Sequence, residues 1–190
     1  MMRIITGTAK GVKLATLSGD NTRPTSERAK EAVFSMLQFD LAGRRVLDLF
    51  SGSGQMGLEA LSRGAAKAVL VDKERAAVDV ITQNATKTRL LERAEIRRAD
   101  ALSYLSGYRG EPFHLVFLDP PYALGLIPQC LSLLLSRNLL TPGAVVVCEA
   151  GSFETVFAGD EALAARFDVL RESRYGVAFV TLISPKQEGC

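Results

Sequence analysis

Asp119-Pro120-Pro121-Tyr122 places an acid, two prolines and an aromatic ring directly after the apolar run Leu115-Val116-Phe117-Leu118. Such a run reads as a strand buried on both faces, as in a parallel sheet. Open α/β sheets keep their ligand crevices at the carboxyl ends of these strands. An ionised Asp119 is purely an acceptor. The Pro120 carbonyl is a second acceptor. Two acceptors on one rigid edge can hold both hydrogens of an exocyclic NH2, and Tyr122 can stack on the attached ring. The chemistry that suits these four residues is presentation of a planar amine to an electrophile. The plainer readings are a turn that stops the strand and a tyrosine that belongs to the core.

A second constellation lies upstream. Val46-Leu47-Asp48-Leu49-Phe50 is followed by Ser51-Gly52-Ser53-Gly54-Gln55-Met56-Gly57, a strand, a glycine turn and a helix start. Glycines let a ligand approach the backbone, and a helix N-terminus favours negative or electron-rich groups. Gly52, Gly54 and Gly57 fit G-x-G-x-x-G, and Asp72 stands twenty positions after Gly52. By spacing alone this passes as a dinucleotide site with Asp72 on a ribose. Asp48, four positions before Gly52 and near the mouth of the turn, argues otherwise. A carboxylate there repels a pyrophosphate and attracts a cation. S-adenosylmethionine carries a sulfonium and an ammonium, has no phosphate, and still offers a ribose diol to Asp72. Asp100, after the third strand, is placed for the adenine amine. Each acid could instead cap a turn or helix. Four of them at successive strand ends form an acidic ligand rim.

The elements that must position these residues alternate. Residues 1–22 read as an irregular arm with a hairpin of Arg3-Ile4-Ile5 and Val12-Lys13-Leu14, separated by a segment holding Gly7 and Gly11. Pro24 and Thr25 introduce a helix whose face is Ala29, Val33, Met36 and Leu37. Strands are expected at Arg45–Phe50, Lys67–Val71, Ala94–Arg98, Phe113–Leu118 and Gly143–Cys148. Helices are expected near Gln55–Ser62, Glu74–Arg89, Ala101–Leu105 and Leu126–Ser136. Strand–helix repetition implies a parallel sheet with right-handed crossovers. Phe167–Leu170 and Val177–Ile183, joined near Tyr175-Gly176, imply a terminal antiparallel hairpin. The organisation expected is an arm over 1–22 and a single α/β domain over 23–190.

Composition narrows the class. The chain has 190 residues, 47% of them apolar, enough for one packed core. It holds no eighteen-residue apolar run, and Met-Met-Arg-Ile-Ile-Thr-Gly lacks a signal-peptide pattern, so a cytoplasmic protein without a membrane partner is expected. Three cysteines with no close pair and one histidine indicate neither a disulfide framework nor a transition-metal site. Cys130 and Cys148 read as core residues, and His114 as structural. Net charge is +2, but residues 1–45 carry eight basic against four acidic residues, a net of +4 that leaves −2 for the remainder. A basic N-terminal third suits a polyanion. Arg3, Lys10, Lys13, Arg23 and Arg28 are the candidate phosphate contacts. Nothing demands more than a monomer.

Asp48 to Gly57 together with Asp119-Pro120-Pro121-Tyr122 resembles the S-adenosylmethionine-dependent methyltransferases that modify exocyclic amines. The arm narrows the resemblance. Arg3-Ile4-Ile5-x-Gly7-x-x-Lys10-Gly11-x-x-Leu14, Thr22-Arg23-Pro24-Thr25-Ser26-Glu27-Arg28-x-Lys30-Glu31-Ala32-Val33-Phe34, Leu58-Glu59-Ala60-Leu61-Ser62-Arg63-Gly64-Ala65 and Tyr175-Gly176 are similar to bacterial methyltransferases of small-subunit ribosomal RNA that act on guanine N2. The resemblance covers nearly the whole chain. It implies a Rossmann-like class I methyltransferase fold: a seven-stranded, mostly parallel sheet with an antiparallel last strand, helices on both faces, and a small N-terminal arm. It implies ribosomal RNA or the small subunit as partner and S-adenosylmethionine as cofactor. The cofactor candidates are Asp48, Ser51, Gly52, Gly54, Asp72, Lys73, Asp100 and Ala101, with Arg23 and Thr25 near the cofactor mouth. Asp119, Pro120, Pro121 and Tyr122 would hold the target base. Gln55-Met56 departs mildly from the smaller residues expected there. Rival readings are amino-methylation of adenine or cytosine in DNA or RNA, an NAD-dependent oxidoreductase, and a non-catalytic RNA-binding module.

Overall fold

The computed structural model describes residues 2–17, 27–37 and 41–187, without the side chains of Arg28 and Ala123. Two compact units make up the chain, Met1–Asp100 and Ala101–Cys190.

In the first unit, helix α1 (Glu27–Leu37) buries Ala29, Val33, Phe34 and Leu37. Strand β1 (Arg45–Asp48), helix α2 (Gln55–Ser62), strand β2 (Lys67–Asp72), helix α3 (Arg75–Lys87) and strand β3 (Ala94–Arg98) follow. The three strands pair in parallel, with Val46 opposite Ala68 and Val69 opposite Glu95. Their apolar centres are buried on both faces, which fixes the register, because a one-residue slip would turn every side chain over. β1 stops at Asp48 rather than Phe50, since the chain already turns there.

The arm over residues 2–17 is more compact than expected. The hairpin reduces to one antiparallel bridge, Arg3 to Lys13. Ile4 N–H donates to the Val12 carbonyl (3.0 Å) and Leu14 N–H to the Met2 carbonyl (3.0 Å). Ile4, Ala9 and Leu14 are buried, so the arm is packed as core.

In the second unit, helix α4 (Ala101–Gly107) and strand β4 (Phe113–Leu118) lead to helix α5 (Leu126–Ser136) and strand β5 (Leu140–Ala150). Helix α6 (Glu161–Ala164), capped by Asp160, precedes strands β6 (Phe167–Tyr175) and β7 (Ala178–Pro185). β5 begins before the expected Gly143. The β4–β5 register shifts between Phe113 and Leu115, and this irregularity accommodates Pro142 and Gly143 within the longer strand. β7 lies antiparallel to both β5 and β6, and Gly176 makes the joining turn at φ +65°. Cys130 and Cys148 are buried thiols.

The seven strands make a mixed, mostly parallel sheet, in the order β3-β2-β1 within the first unit and β4-β5-β7-β6 within the second. Among the described residues, no helix is long and apolar enough to cross a membrane.

Candidate active site

The glycine turn between β1 and α2 is bonded tightly. Ser51 N–H donates to the Val71 carbonyl (3.1 Å) and Gly54 N–H to the Ser51 carbonyl (2.6 Å). Gly52 and Gly54 take φ +53° and +77°, a region glycine enters without penalty. The third glycine serves packing instead. A Cβ on Gly57 would stand 2.8 Å from Leu70 Cδ2, so its absence lets α2 lie close on β2.

Asp48 and Asp72 brace this turn from below. Asp48 is only 4% exposed. Its Oδ2 accepts from Gly57 N–H (3.0 Å), and its carbonyl accepts from the Ser51 hydroxyl (2.7 Å). Burial pushes the Asp48 carboxyl up to about 7, with the Asp72 charge adding to the rise and the Gly57 bond opposing it. Asp72 accepts from Gly52 N–H through Oδ2 (2.9 Å) and from Glu74 N–H through Oδ1 (3.0 Å). The turn-bracing role left open beside ligand binding is therefore realised for both acids. Lys73 is exposed, 3.9 Å from Glu74. Asp100 is exposed directly before α4, and Ala101 is buried.

These residues fit S-adenosylmethionine. Among the described residues beyond its chain neighbours, no heavy atom lies within 4 Å of where a Cβ on Gly52 would stand, so these residues leave the turn backbone open to a ligand. Two carboxylates beneath it suit a cation rather than a pyrophosphate.

In the second unit, Asp119 follows the last residue of β4 and is half-buried, with Pro120 buried and Pro121 exposed. Leu124 N–H donates to the Pro121 carbonyl (3.2 Å), so the short 3-10 turn over Tyr122–Leu124 closes on Pro121 and not on Pro120. Tyr122 is 36% exposed. Its hydroxyl donates to Glu149 Oε1 (3.2 Å).

Arg23 and Thr25 lie outside the described residues, as does the side chain of Arg28. Arg3, Lys10 and Lys13 are exposed on the arm, and Arg3 Nε lies 3.5 Å from Glu27 Oε1.

Several residues that matter were not singled out by chemistry-bearing patterns. Glu59, fully buried in α2, accepts from Ile5 N–H (2.8 Å), Thr6 N–H (3.0 Å) and Arg63 Nε (2.8 Å). Lys30, also fully buried, sits 3.5 Å from Glu59 and donates to the Arg3 carbonyl (2.6 Å). Burial lowers the Lys30 pKa, and Glu59 counteracts part of that. Lys30 thus belongs to the arm's anchor and not to its basic surface. Ser62 donates to the Thr6 carbonyl (2.6 Å) and accepts from Ala9 N–H (3.0 Å). The available signal was a glutamate within an otherwise apolar helix, which demands partners when buried.

The chain is 36% identical over 150 residues to the Haemophilus influenzae ribosomal RNA small subunit methyltransferase D, covering 78% of each chain. A solved Escherichia coli structure, provisionally described as methyltransferase yhhF, superposes with a TM-score of 0.84 at 32% identity, covering 98% of this chain and 99% of that one. A Bacillus cereus O-methyltransferase solved in complex with SAH shares the fold alone, at 15% identity and a TM-score of 0.65 over 84% of this chain and 82% of that one. The family described as Conserved hypothetical protein 95 matches residues 2–184, and the chain belongs to it.

Proposed function

We propose that this protein methylates the exocyclic N2 amine of a guanine in small-subunit ribosomal RNA, using S-adenosylmethionine. The observation that carries the reading is Asp119-Pro120-Pro121-Tyr122 at the carboxyl end of β4, in a chain whose relatives include a small-subunit ribosomal RNA methyltransferase. S-adenosylmethionine, when bound, supplies an electrophilic methyl group. Asp48 and Asp72 hold the glycine turn in shape and supply negative charge toward a cation. Asp119 and the Pro120 carbonyl accept the two amine hydrogens and favour a pyramidal nitrogen, whose lone pair is otherwise conjugated with the ring. Asp119 is the base toward which the displaced proton moves. Tyr122 stacks on a base splayed out of the RNA. Orientation of this kind is worth on the order of 7–11 kcal/mol.

The arm and the body act as one methyltransferase domain in this reading, in the cytoplasm and as a monomer. Arg3, Lys10, Lys13 and Arg28 contact phosphates, which gives salt-sensitive affinity without sequence reading. Arg23 and Thr25 close the cofactor mouth.

The test is transfer of radiolabelled methyl to unmodified small-subunit RNA and to small subunits, followed by nucleoside mass spectrometry. N2-methylguanosine is expected. Asp119→Ala is expected to lose at least about a hundredfold in rate while binding S-adenosylmethionine normally in calorimetry. Methyl incorporation at an adenine or cytosine amine, or an unimpaired Asp119→Ala enzyme, contradicts the reading.

A further inference from the structure

We propose that Glu149 reads the N1–H of the target guanine and so sets the enzyme's base specificity; this rests on the function proposed above. β4 and β5 run parallel with Leu118 opposite Cys148. The next residue on each chain is a carboxylate, Asp119 and Glu149. Neighbouring strands lie about 4.8 Å apart, and register partners face the same side. The acid assigned to the amine thus directly follows the end of β4, and a second acid stands in β5, one residue past the partner of Leu118.

Tyr122 ties Glu149 to the same place. Its hydroxyl donates to Glu149 Oε1 (3.2 Å). Its ring lies along Gly151, where a Cβ would stand 3.4 Å from Tyr122 Cδ2. One end of the ring is thus fixed by Glu149 and one edge by the Gly151 backbone, two residues further on. Glu149 itself is 8% exposed. A glutamate so enclosed at a strand's carboxyl end keeps its carboxylate in one place, and a carboxylate accepts from more than one donor at a time.

The chemistry of the purine edge supplies the rest. Guanine presents N1–H beside its N2 amine, so two donor groups sit together on one edge. With N2 at Asp119, the neighbouring N1–H falls toward the neighbouring strand, where Glu149 accepts it. A purine with a 2-amine but a bare N1, such as 2-aminopurine, would turn a lone pair toward this carboxylate. A site built around a hydrogen bond rejects the analogue that lacks it far more strongly than a site built on shape. Glutamine in place of Glu149 keeps an acceptor for the Tyr122 hydroxyl and adds an NH2 donor, which suits the bare N1 instead.

The experiment uses the full chain and small-subunit RNA built by splinted ligation. The RNA carries guanosine or 2-aminopurine riboside at the nucleotide mapped as methylated, and it is offered naked and as assembled subunits. Wild type is expected to prefer guanosine in kcat/KM by at least about a hundredfold. Glu149→Gln is expected to reduce that preference by at least about tenfold. Tyr122→Phe, which keeps Glu149, is expected to slow both substrates while retaining the preference. Each preference is a ratio measured on one preparation, so the active fraction cancels, and the wild-type series needs no variant at all. A wild type that accepts both purines equally overturns the assignment, as does Glu149→Gln with an unchanged ratio. A wild type that methylates no guanine amine is a separate result, because it removes the underlying function.

Discussion

Asn84 pairs with the backbone of Ala15 through both ends of its side-chain amide. Ala15 N–H donates to Oδ1 (2.8 Å), and Nδ2 donates back to the Ala15 carbonyl (3.0 Å). The same Nδ2 donates to the Ser53 carbonyl in the glycine turn (2.9 Å). One fully buried amide on α3 therefore joins the arm to the turn. Asn84→Ala leaves buried backbone groups without partners and is expected to cost about 3 kcal/mol or more in urea unfolding. Asn84→Asp keeps the shape but sets a carboxylate against two carbonyls, and is expected to be at least as damaging. Both variants should bind S-adenosylmethionine more weakly in calorimetry, because the Ser53 end of the turn loses its anchor.

Glu59 and Lys30 form a buried ion pair whose loss cannot be made good by water. Glu59→Gln is expected to destabilise by about 3–5 kcal/mol, the range seen when one partner of a buried pair is removed. The loss should shrink as pH rises. Without Glu59 the Lys30 pKa falls further, so the unfolded chain binds more protons than the folded one below the ordinary lysine pKa, and folding stability increases with pH there. Chemical unfolding of Glu59→Gln at pH 6 and pH 9 checks the sign. Deleting the arm would remove the partners of Glu59 as well, so RNA affinity is better examined with Lys10→Ala and Lys13→Ala. Each is expected to lower the salt slope by about one.

Gly7 and Gly11 share nearly the same backbone angle, φ +85° and +84°, but not the same surroundings. A Cβ on Gly7 would stand 1.8 Å from the Ser62 carbonyl oxygen, whereas none of the described residues beyond its chain neighbours comes within 4 Å of one on Gly11. Gly11→Ala is expected to cost only the conformational penalty, about 1–2 kcal/mol. Gly7→Ala should cost clearly more, because the arm must lift off α2. Thermal unfolding of the two variants side by side measures the difference.

Asp48 couples the glycine turn to pH. With its carboxyl at about 7, the folded state retains a proton that the unfolded chain releases from about pH 4 upward. Its contribution to stability therefore falls as pH rises from about 4 to 7, and Asp48→Asn should flatten that slope in pH-dependent unfolding. A bound cation stabilises the ionised form, so affinity for S-adenosylmethionine is expected to rise through about pH 7 with release of a proton. Calorimetry in buffers of different ionisation enthalpy detects that proton, and Asp48→Asn should abolish it.

Much of this was readable along the chain because it depends on short-range pattern. Period, turn glycines and continuous apolar runs located every strand that carries the acids, and the Asp-Pro-Pro-Tyr edge needs no distant residue to define its chemistry. The antiparallel end followed from two strand signals too close together for a crossover helix. Other features depend on partners far apart in sequence, and no local rule pairs them. Lys30 counts by sequence as one more basic residue of the N-terminal third, yet it packs against Glu59. Asp48 reads along the sequence as a carboxylate near the mouth of the turn, and its bond to Gly57 N–H arises only when the following helix folds over it. Glu149 lay unremarked just past the expected strand Gly143–Cys148, and only folding brings Tyr122, twenty-seven positions away, to it. Local stereochemistry dictates which elements form. A buried charge finds its counterpart only when those elements pack, because the cost of leaving it alone is paid in three dimensions.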